Sequence, residues 1–560
     1  MAGATQVTST VTTASAPAIT TPSFNVGAIM CYHTLYADRQ RTYPSTAAMV
    51  ADGFSTTSVA YRAASIYFEQ NPGPQNVVIG RRASAYSQVL DLLCTDATSG
   101  DLYAFTAIGS DDIVHPISVT STGVAATDAQ TIVNLFSAKG GPVKAGSANT
   151  GTLVLTIASG TATANGTLLV TITLGGATGT ATFSWTYTSV AGVLVASGTG
   201  TTSASSALSG SGLTADFGSG TAVIGDTYTV NTIINCGTVS LSTATVVFTQ
   251  ASGKLTDIVG WMDGPVQNIQ LTDATADPGI TADLTAIYNA NTLNWYGFAL
   301  DSNSKLEDLA AMAWAGAQSQ GQKGKFFFTN NSDAANVNLG GASTSDLFAT
   351  AQSDSYQKAG ALYSGQEVLA YSGVSMMSYA MAQTPGRWVM AAKSLPGCLT
   401  DTDTSLTLTQ ALVLNTSQAG NPAVGGKNGN YYYQTNGQSN VWPGSTPFGQ
   451  YIDYPIWIDY IDVQIQAAVL AAKNAGPKLS YDANGLQVIY QAILGQLVAA
   501  ATPDGNGNVA VLMSSIIVNV PTMAEIAAAS ILNRDVPNCT WSCLYVGGIQ
   551  TVESTGSVTL

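Results

Sequence analysis

The stretch SVAYRAASIYFEQNPGPQNVVIG, residues 58 to 80, indicates the fold class of this chain. Its first thirteen residues place Ala60, Ala63, Ala64, Tyr67 and Phe68 on one side of a helix, as an amphipathic pattern requires. Residues 71 to 74, NPGP, end that helix, and the apolar run that follows predicts a buried strand. Because residues 26 to 30 also read as a buried strand, the order strand, helix, strand predicts a parallel α/β unit.

The same texture returns in the second half of the chain. Helices are predicted over 281–291 and 304–319, and buried strands over 295–300 and 325–329. We therefore predict one discontinuous α/β domain built from residues 25–85 and 236–400. The whole chain is predicted to be a multidomain α/β and α+β protein.

Two segments interrupt that domain. Residues 86–145 are predicted to form a small α+β domain. Residues 146–235 hold short Thr- and Val-rich strands between Gly-Ser-Thr turns, which predicts an inserted immunoglobulin-like β-sandwich with Trp185 as its main core aromatic. An exposed Trp185 on a binding patch is the alternative.

Both ends of the chain read as strands without a core of their own. Residues 1–24 are uncharged and β-prone, and residues 548–560 have an alternating, strand-like pattern. Residues 401–560 as a whole are predicted to be an α+β assembly domain that ends in this strand arm. Strands of this kind pair with a sheet in another chain or in a distant part of their own. The predicted contact residues of these two arms are Val7, Thr10, Val11, Thr13, Ile549, Val552, Val558 and Leu560.

Composition and charge disfavour several classes of function. Charged residues make up 9% of the chain and the net charge is −15, with no basic stripe that would follow phosphates, so we expect no direct nucleic-acid partner. The sequence contains no run of about 20 apolar residues, so we expect no membrane insertion. The first residues lack the features of a secretion signal, and six dispersed cysteines predict reduced thiols made in a cytosol.

Catalytic and cofactor motifs are missing from the sequence. The two histidines, His33 and His115, allow no more than one histidine-dependent site, and no phosphate-binding glycine loop occurs. Cys31 and His33 lack further zinc ligands, the loop at Asp504 departs from a calcium loop, and Asp301 reads as a helix-capping or turn residue. We expect no enzyme activity, no cofactor and no metal.

Three blocks of sequence resemble the tail sheath proteins of contractile bacteriophages, in a sheath-like branch of phage proteins of formerly unknown function. The blocks cover most of the chain outside 146–235: ADRQRTY (37–43) with the stretch 50–81, PGITADL (278–284) with WYGF (295–298), and PGRW (385–388) with KSLPG (393–397), NYYY (430–433) and the stretch 451–461. The insertion is the main departure from the family, and it reads as a decoration domain.

The resemblance implies a virion protein, assembled in the host cytoplasm, that contracts to drive a tail tube through the host envelope. It implies self-assembly into six-fold rings stacked helically, with arms that add strands to neighbouring subunits. The tail tube, baseplate and tail terminator proteins are its implied partners.

Two other functions stay open from the residues. A surface-layer or capsid-decoration protein would explain the acidity and the predicted sandwich, but not the α/β halves. A secreted carbohydrate-active enzyme would need a pair of carboxylates in a cleft, which a sequence does not reveal.

Overall fold

A computed structural model describes most of the chain. The described residues are 23–33, 35–56, 58–82, 89–94, 98–100, 102–108, 114–137, 143–144, 149–160, 166–189, 192–232, 238–249, 258–260, 269–273, 279–301, 305–318, 324–331, 334–337, 346–364, 371–398, 406–414, 426–435 and 437–549.

The first region holds the strand, helix, strand unit that the sequence predicts. Its elements are β1 (Gly27–Tyr32), β2 (Gln40–Tyr43), α1 (Thr46–Ala51), α2 (Val59–Glu69) and β3 (Val77–Arg82). Helix α2 begins where the Ser58 side chain accepts a hydrogen bond from the Tyr61 amide, an N-cap arrangement. Its predicted face is buried at Ala60, Ala63 and Tyr67. The helix therefore packs as its pattern indicates.

Strands dominate the next 190 or so residues of sequence. They are β4 (Val89–Cys94), β5 (Leu102–Ile108), β6 (Val114–Thr120), then helix α3 (Ala125–Ser137), then β7 (Val143–Lys144), β8 (Leu155–Gly160), β9 (Gly166–Leu174), β10 (Gly176–Ala177), β11 (Thr182–Ser189), β12 (Leu194–Thr201), β13 (Ser206–Leu208), β14 (Leu213–Phe217), β15 (Thr221–Ala222), β16 (Thr227–Thr232), β17 (Thr238–Ser242), β18 (Thr245–Thr249), β19 (Ile258–Gly260) and β20 (Ile269–Asp273).

The remaining elements alternate again between helix and strand. They are α4 (Ile280–Ala290), β21 (Gly297–Leu300), α5 (Lys305–Ala317), β22 (Phe326–Asn331), α6 (Leu347–Ser353), β23 (Ala359–Tyr363), α7 (Ser372–Ala382), α8 (Leu408–Leu414), β24 (Asn430–Thr435), β25 (Gln438–Trp442), α9 (Asp453–Asn474), α10 (Ala483–Ala501), β26 (Ile517–Asn519), α11 (Ala528–Leu532) and β27 (Thr540–Ser542), with 3₁₀ turns at Ala334–Val337 and Met513–Ser515.

An eight-stranded mixed sheet is the centre of the α/β part. Its order is β2-β3-β1-β21-β22-β23-β24-β25, parallel from β3 to β24 and antiparallel at both edges. One apolar core buries α2 and α7 on one face, and a second buries α4 and α5 on the other. Both faces of the parallel strands are therefore covered, which explains their continuous apolar runs.

The sheet joins segments that lie far apart in sequence. Strand β1 pairs with β3 on one side and with β21, some 270 residues later, on the other. The sheet also continues beyond residue 400 through β24 and β25. Strands β17, β18 and β20 instead join β4, and β19 joins β5. The domain boundaries drawn from the sequence remain a proposal.

The inserted segment folds as two larger sheets around one core, with β10 and β15 as a further two-stranded sheet. A five-stranded sheet, β12-β11-β9-β16-β7, and a three-stranded sheet, β13-β14-β8, contribute apolar side chains to the same cluster. Trp185 lies in it with 5% of its surface exposed. The prediction that Trp185 is a core aromatic is thus confirmed, whereas an immunoglobulin-like topology stays a prediction.

Candidate assembly surface

The C-terminal segment is built on a pair of packed helices. Residues Trp457, Ile461 and Ile465 recur every four residues along α9, and Ile493, Leu497 and Ala501 recur in the same way along α10. This spacing places each set on one helical face, and the two sets share one buried cluster. The helix pair gives the end of the chain a core of its own.

A two-stranded antiparallel sheet lies on these helices. Strands β26 and β27 pair Val518 with Trp541, and both side chains pack against the helix pair. On the opposite face Ile517 is 55% exposed. Among the described residues each strand has a single neighbour, so each has one edge open to a further strand.

The C-terminal tail begins at Tyr545. The Tyr545 hydroxyl donates to Oδ2 of Asp453, in the first turn of α9, over 2.6 Å, and its ring packs against Trp457 at 4.9 Å between centroids. Burial raises the pKa of Tyr545 and that of Asp453. Four residues later Ile549 is 85% exposed. The chain is therefore fixed at Tyr545, the Val546 amide donates to the Ala510 carbonyl, and Gly548 still lies against the Val389 side chain.

The N-terminal tail ends beside the same helix. The Ser23 amide donates to the Leu293 carbonyl over 3.0 Å, and the Phe24 ring lies 4.5 Å from that of Tyr296 and 5.4 Å from that of Tyr460 on α9. Tyr460 follows Asp453 by seven residues, or about 10 Å along a helix. Both predicted arms therefore start beside α9.

Buried polar contacts join α9 to the central sheet. The Asp459 carboxylate accepts from Lys358 Nζ and, over 2.8 Å, from the Tyr296 hydroxyl. Asp459 is fully buried, and a Cβ at Gly324 would lie 2.4 Å from its Oδ2. Lys358 and Tyr296 directly precede β23 and β21, so this contact fixes the helix against the sheet.

The PGRW motif, residues 385–388, joins the same helix pair from another direction. The Arg387 guanidinium donates to the Ala499 and Thr502 carbonyls, at 3.0 and 2.9 Å, where α10 ends. Gly386 has φ +81°, and a Cβ there would lie 2.3 Å from Cδ1 of Trp457. The motif therefore has a structural explanation in this chain. Its arginine caps the C-terminal end of α10, and its glycine leaves room for the Trp457 ring.

Open α/β sheets usually bind ligands at the carboxyl ends of their central strands. Among the described residues, a buried ion network lies at that position, where β1, β3 and β21 end. The fully buried Arg82 guanidinium contacts Asp301 at 3.2 Å and Glu307 at 2.5 Å. Burial raises the pKa of Asp301 despite the arginine beside it. Asp301 is thus a member of a buried ion network, and its role as a capping or turn residue stays a prediction because residues 302–304 lie outside the described residues.

His33 and Asp504, which the sequence analysis considered as site residues, make contacts within the fold. His33 lies between Tyr36 and Phe54, with ring centroids at 4.2 and 5.1 Å, and burial lowers its pKa to about 4. Asp504 accepts from the Asn506 and Asn508 amides within a turn. Among the described residues no group of three His, Cys, Asp or Glu is placed to hold a metal ion.

Most of the predicted arm contacts lie outside the described residues. These are Val7, Thr10, Val11, Thr13, Val552, Val558 and Leu560. Ile549 is described and exposed. The role of these residues stays a prediction. The sequence predicts a strand over 516–520, where β26 lies, but not its partner β27, because a three-residue strand carries too short a pattern.

No protein-family model and no curated protein matches the chain. Solved structures that are similar to it include the following three. The sheath tail protein from Desulfitobacterium hafniense shares 10% identity over 96% of this chain and 100% of its own, with a TM-score of 0.37. A chain of the anti-feeding prophage baseplate shares 14% identity over 50% of this chain and 73% of its own, with a TM-score of 0.34. A chain of the contracted PVC sheath, from an extracellular contractile injection system, shares 12% identity over 50% of this chain and 74% of its own, with a TM-score of 0.33.

Two of these three chains belong to sheaths and the third to a baseplate. With TM-scores of this size, the function has to be argued from the geometry of the chain itself. In the described part of the chain, no helix has the length and apolarity needed to span a membrane.

Proposed function

We propose that this protein is the structural subunit of a contractile phage tail sheath. Its copies polymerise helically around the tail tube, and the polymer contracts to drive the tube through the host envelope. The observation that carries this proposal is the start of both tails beside α9, next to a two-stranded sheet whose outer edges have no partner strand among the described residues. Donor and acceptor of an added strand are thus available on every copy.

The lengths of the tails fit donation to another copy. The 22 residues before Ser23 span up to about 70 Å when extended, and the 11 residues after Ile549 up to about 36 Å. Either distance exceeds the width of a small domain. A head-to-tail contact of this kind propagates as a ring or a helix, depending on the rotation between copies.

Mechanical work needs no catalytic site in this proposal. The carboxyl ends of β1, β3 and β21, where a ligand would otherwise bind, hold the Arg82 network. The energy of contraction is stored in the packing of subunits. A few kcal/mol per copy, summed over on the order of a hundred copies, gives a large mechanical output.

Removal of residues 548–560 tests the donor role of the C-terminal tail. We expect a soluble chain that keeps its thermal unfolding profile and forms no tubes in electron micrographs, because Tyr545 and the helix pair remain intact. Tubes of normal length from the truncated chain would overturn the proposal, and flat sheets from the intact chain would favour a surface-layer protein.

Two charge variants make the test specific for the predicted strand face. Val552→Asp with Val558→Asp places two carboxylates on its apolar face and should abolish tubes. Thr551→Asp with Ser557→Asp adds the same charge to the other face and should leave tube formation close to normal. Equal loss in both variants would show that charge alone, and not a strand face, is responsible.

A further inference from the structure

The inserted sandwich has an open edge that lacks the usual protection against strand pairing. Strand β12, Leu194–Thr201, is the eight-residue outer strand of the five-stranded sheet and the longest edge strand in the described part of the chain. Proteins normally shield such edges with charge, proline or short length. Strand β12 carries neither charge nor proline. By contrast the edge strand β6 contains Pro116, and β2 has four residues, one of them Arg41.

Aromatic rings of the neighbouring strand β11 cover the inward face of β12. Trp185 and Phe183 of β11 lie opposite Gly198 and Gly200, and a Cβ on either glycine would lie 2.9 Å from the ring facing it. The glycines let the rings cover the edge strand, so the apolar core stays closed at this flank. The backbone edge of β12 is therefore unpaired among the described residues although the side-chain core beside it is well packed.

Charge on the sandwich restricts the partner of this edge. Residues 149–232 contain no Lys, Arg, Glu or His, and of the two aspartates Asp226 is 1% exposed and Asp216 half-buried. A charged partner strand would lose hydration here without gaining an opposite charge. An uncharged strand with Ser, Thr and Ala side chains fits the edge, and the sandwich itself supplies one.

That strand is β8, Leu155–Gly160, which is uncharged and lies at an edge of the three-stranded sheet. It belongs to the opposite flank from β12. Strand β13, at the other edge of the same small sheet, follows β12 after four residues, and the Ser206 hydroxyl donates to the Thr201 carbonyl. Asn149, ahead of β8, is instead hydrogen-bonded to Thr227 at the start of β16.

We infer that the insertions of neighbouring copies pair edge to edge, with β12 of one copy adding to β8 of the next. The contact rests on the proposed sheath, in which a second copy adjoins each insertion. Because the two edges are different strands on opposite flanks, the contact is heterologous and runs in one direction around a ring or helix, as a polar sheath requires. The insertion is thereby an inter-subunit contact rather than a free decoration.

Amide hydrogen exchange of the full chain measures this pairing directly. Exchange is followed over a concentration series from monomer to the largest assembly that forms. We expect peptides over 194–201 and over 155–160 to exchange about tenfold more slowly as association proceeds, because edge amides become hydrogen-bonded. The amides of β9, central in its sheet, report that the sandwich stays folded.

A matched pair of variants assigns the effect to the edge. Ser197→Lys with Thr199→Lys charges the exposed face of β12 and should keep both segments at the exchange rate of the monomer. Ser184→Lys with Thr186→Lys places the same charge on β11, directly opposite those two residues in the sheet, and should leave the protection intact.

The possible outcomes separate this inference from the proposed function. Tubes without added protection of β12 and β8 overturn the edge contact and leave the sheath role standing. Protection of only one of the two segments overturns the assignment of β8 as the partner strand. Unchanged exchange over the whole concentration series overturns the contact whether or not tubes form.

Discussion

At the scale of single residues, positions that the sequence marks as special have roles in packing. Gly386 combines φ +81° with the close approach of Trp457, and Arg387 caps the end of α10. His33 is enclosed by Tyr36 and Phe54, and its lowered pKa keeps it neutral over most of the pH range. These residues hold elements of the fold together.

Substitution of Gly386 by alanine tests that packing role. Gly386→Ala should destabilise the chain by several kcal/mol, because the backbone is strained and Trp457 must move. Gly437→Ala is the control, since Gly437 has φ +76° and a Cβ added there would meet no atom within 4 Å. It should cost about 1 kcal/mol from backbone strain alone. Calorimetric unfolding of the full chain compares the two, and equal losses would contradict a role for Trp457.

At the scale of elements, a polar contact connects α9, which belongs to the core of the C-terminal helix pair, to the central sheet. Asp459 is fully buried and accepts from Lys358 and Tyr296. Removal of one partner of a buried ion pair leaves the other charge unpaired in an apolar setting. The helix beside which both tails start is therefore held against the sheet by a contact in which the loss of either charged partner is costly.

A double-mutant cycle measures that contact. Asp459→Leu should lower the free energy of unfolding by about 3–5 kcal/mol, because Lys358 stays buried without its partner. Asp459→Leu combined with Lys358→Met should recover much of this loss, since neither charge is then buried. Additive losses in the calorimetric transition would show that the two side chains act independently.

The sequence predicts local elements well and long-range contacts poorly, for a physical reason. The buried face of α2 and the core position of Trp185 follow from periodicity and turn residues. The pairing of Arg82 with Asp301, 219 residues apart, and of Lys358 with Asp459, 101 apart, depends on topology. No local pattern encodes such distances, so the sequence assigns Asp301 to capping and does not single out Asp459.

At the scale of the whole molecule, the proposal requires that a tail stabilises a different copy from its own. A tail that folded back on its own chain would bury the same strand edge, and the truncation alone does not separate the two arrangements. In the proposed sheath each copy both donates and accepts a strand, so a chain that accepts without donating should be a specific inhibitor of growth. Mixing of two chain types therefore gives the decisive measurement.

Copies lacking residues 548–560, added to the intact chain during assembly, should enter tubes and shorten them in proportion to their share. Each incorporated copy offers its open sheet but leaves the sheet of its neighbour without an added strand. Electron micrographs give the length distribution, and a fluorescent label on the truncated chain reports its incorporation. The Thr551→Asp, Ser557→Asp chain, added at the same ratios, is the control and should leave the lengths unchanged. Tubes that incorporate labelled truncated copies at full length would show that the tail acts within its own chain.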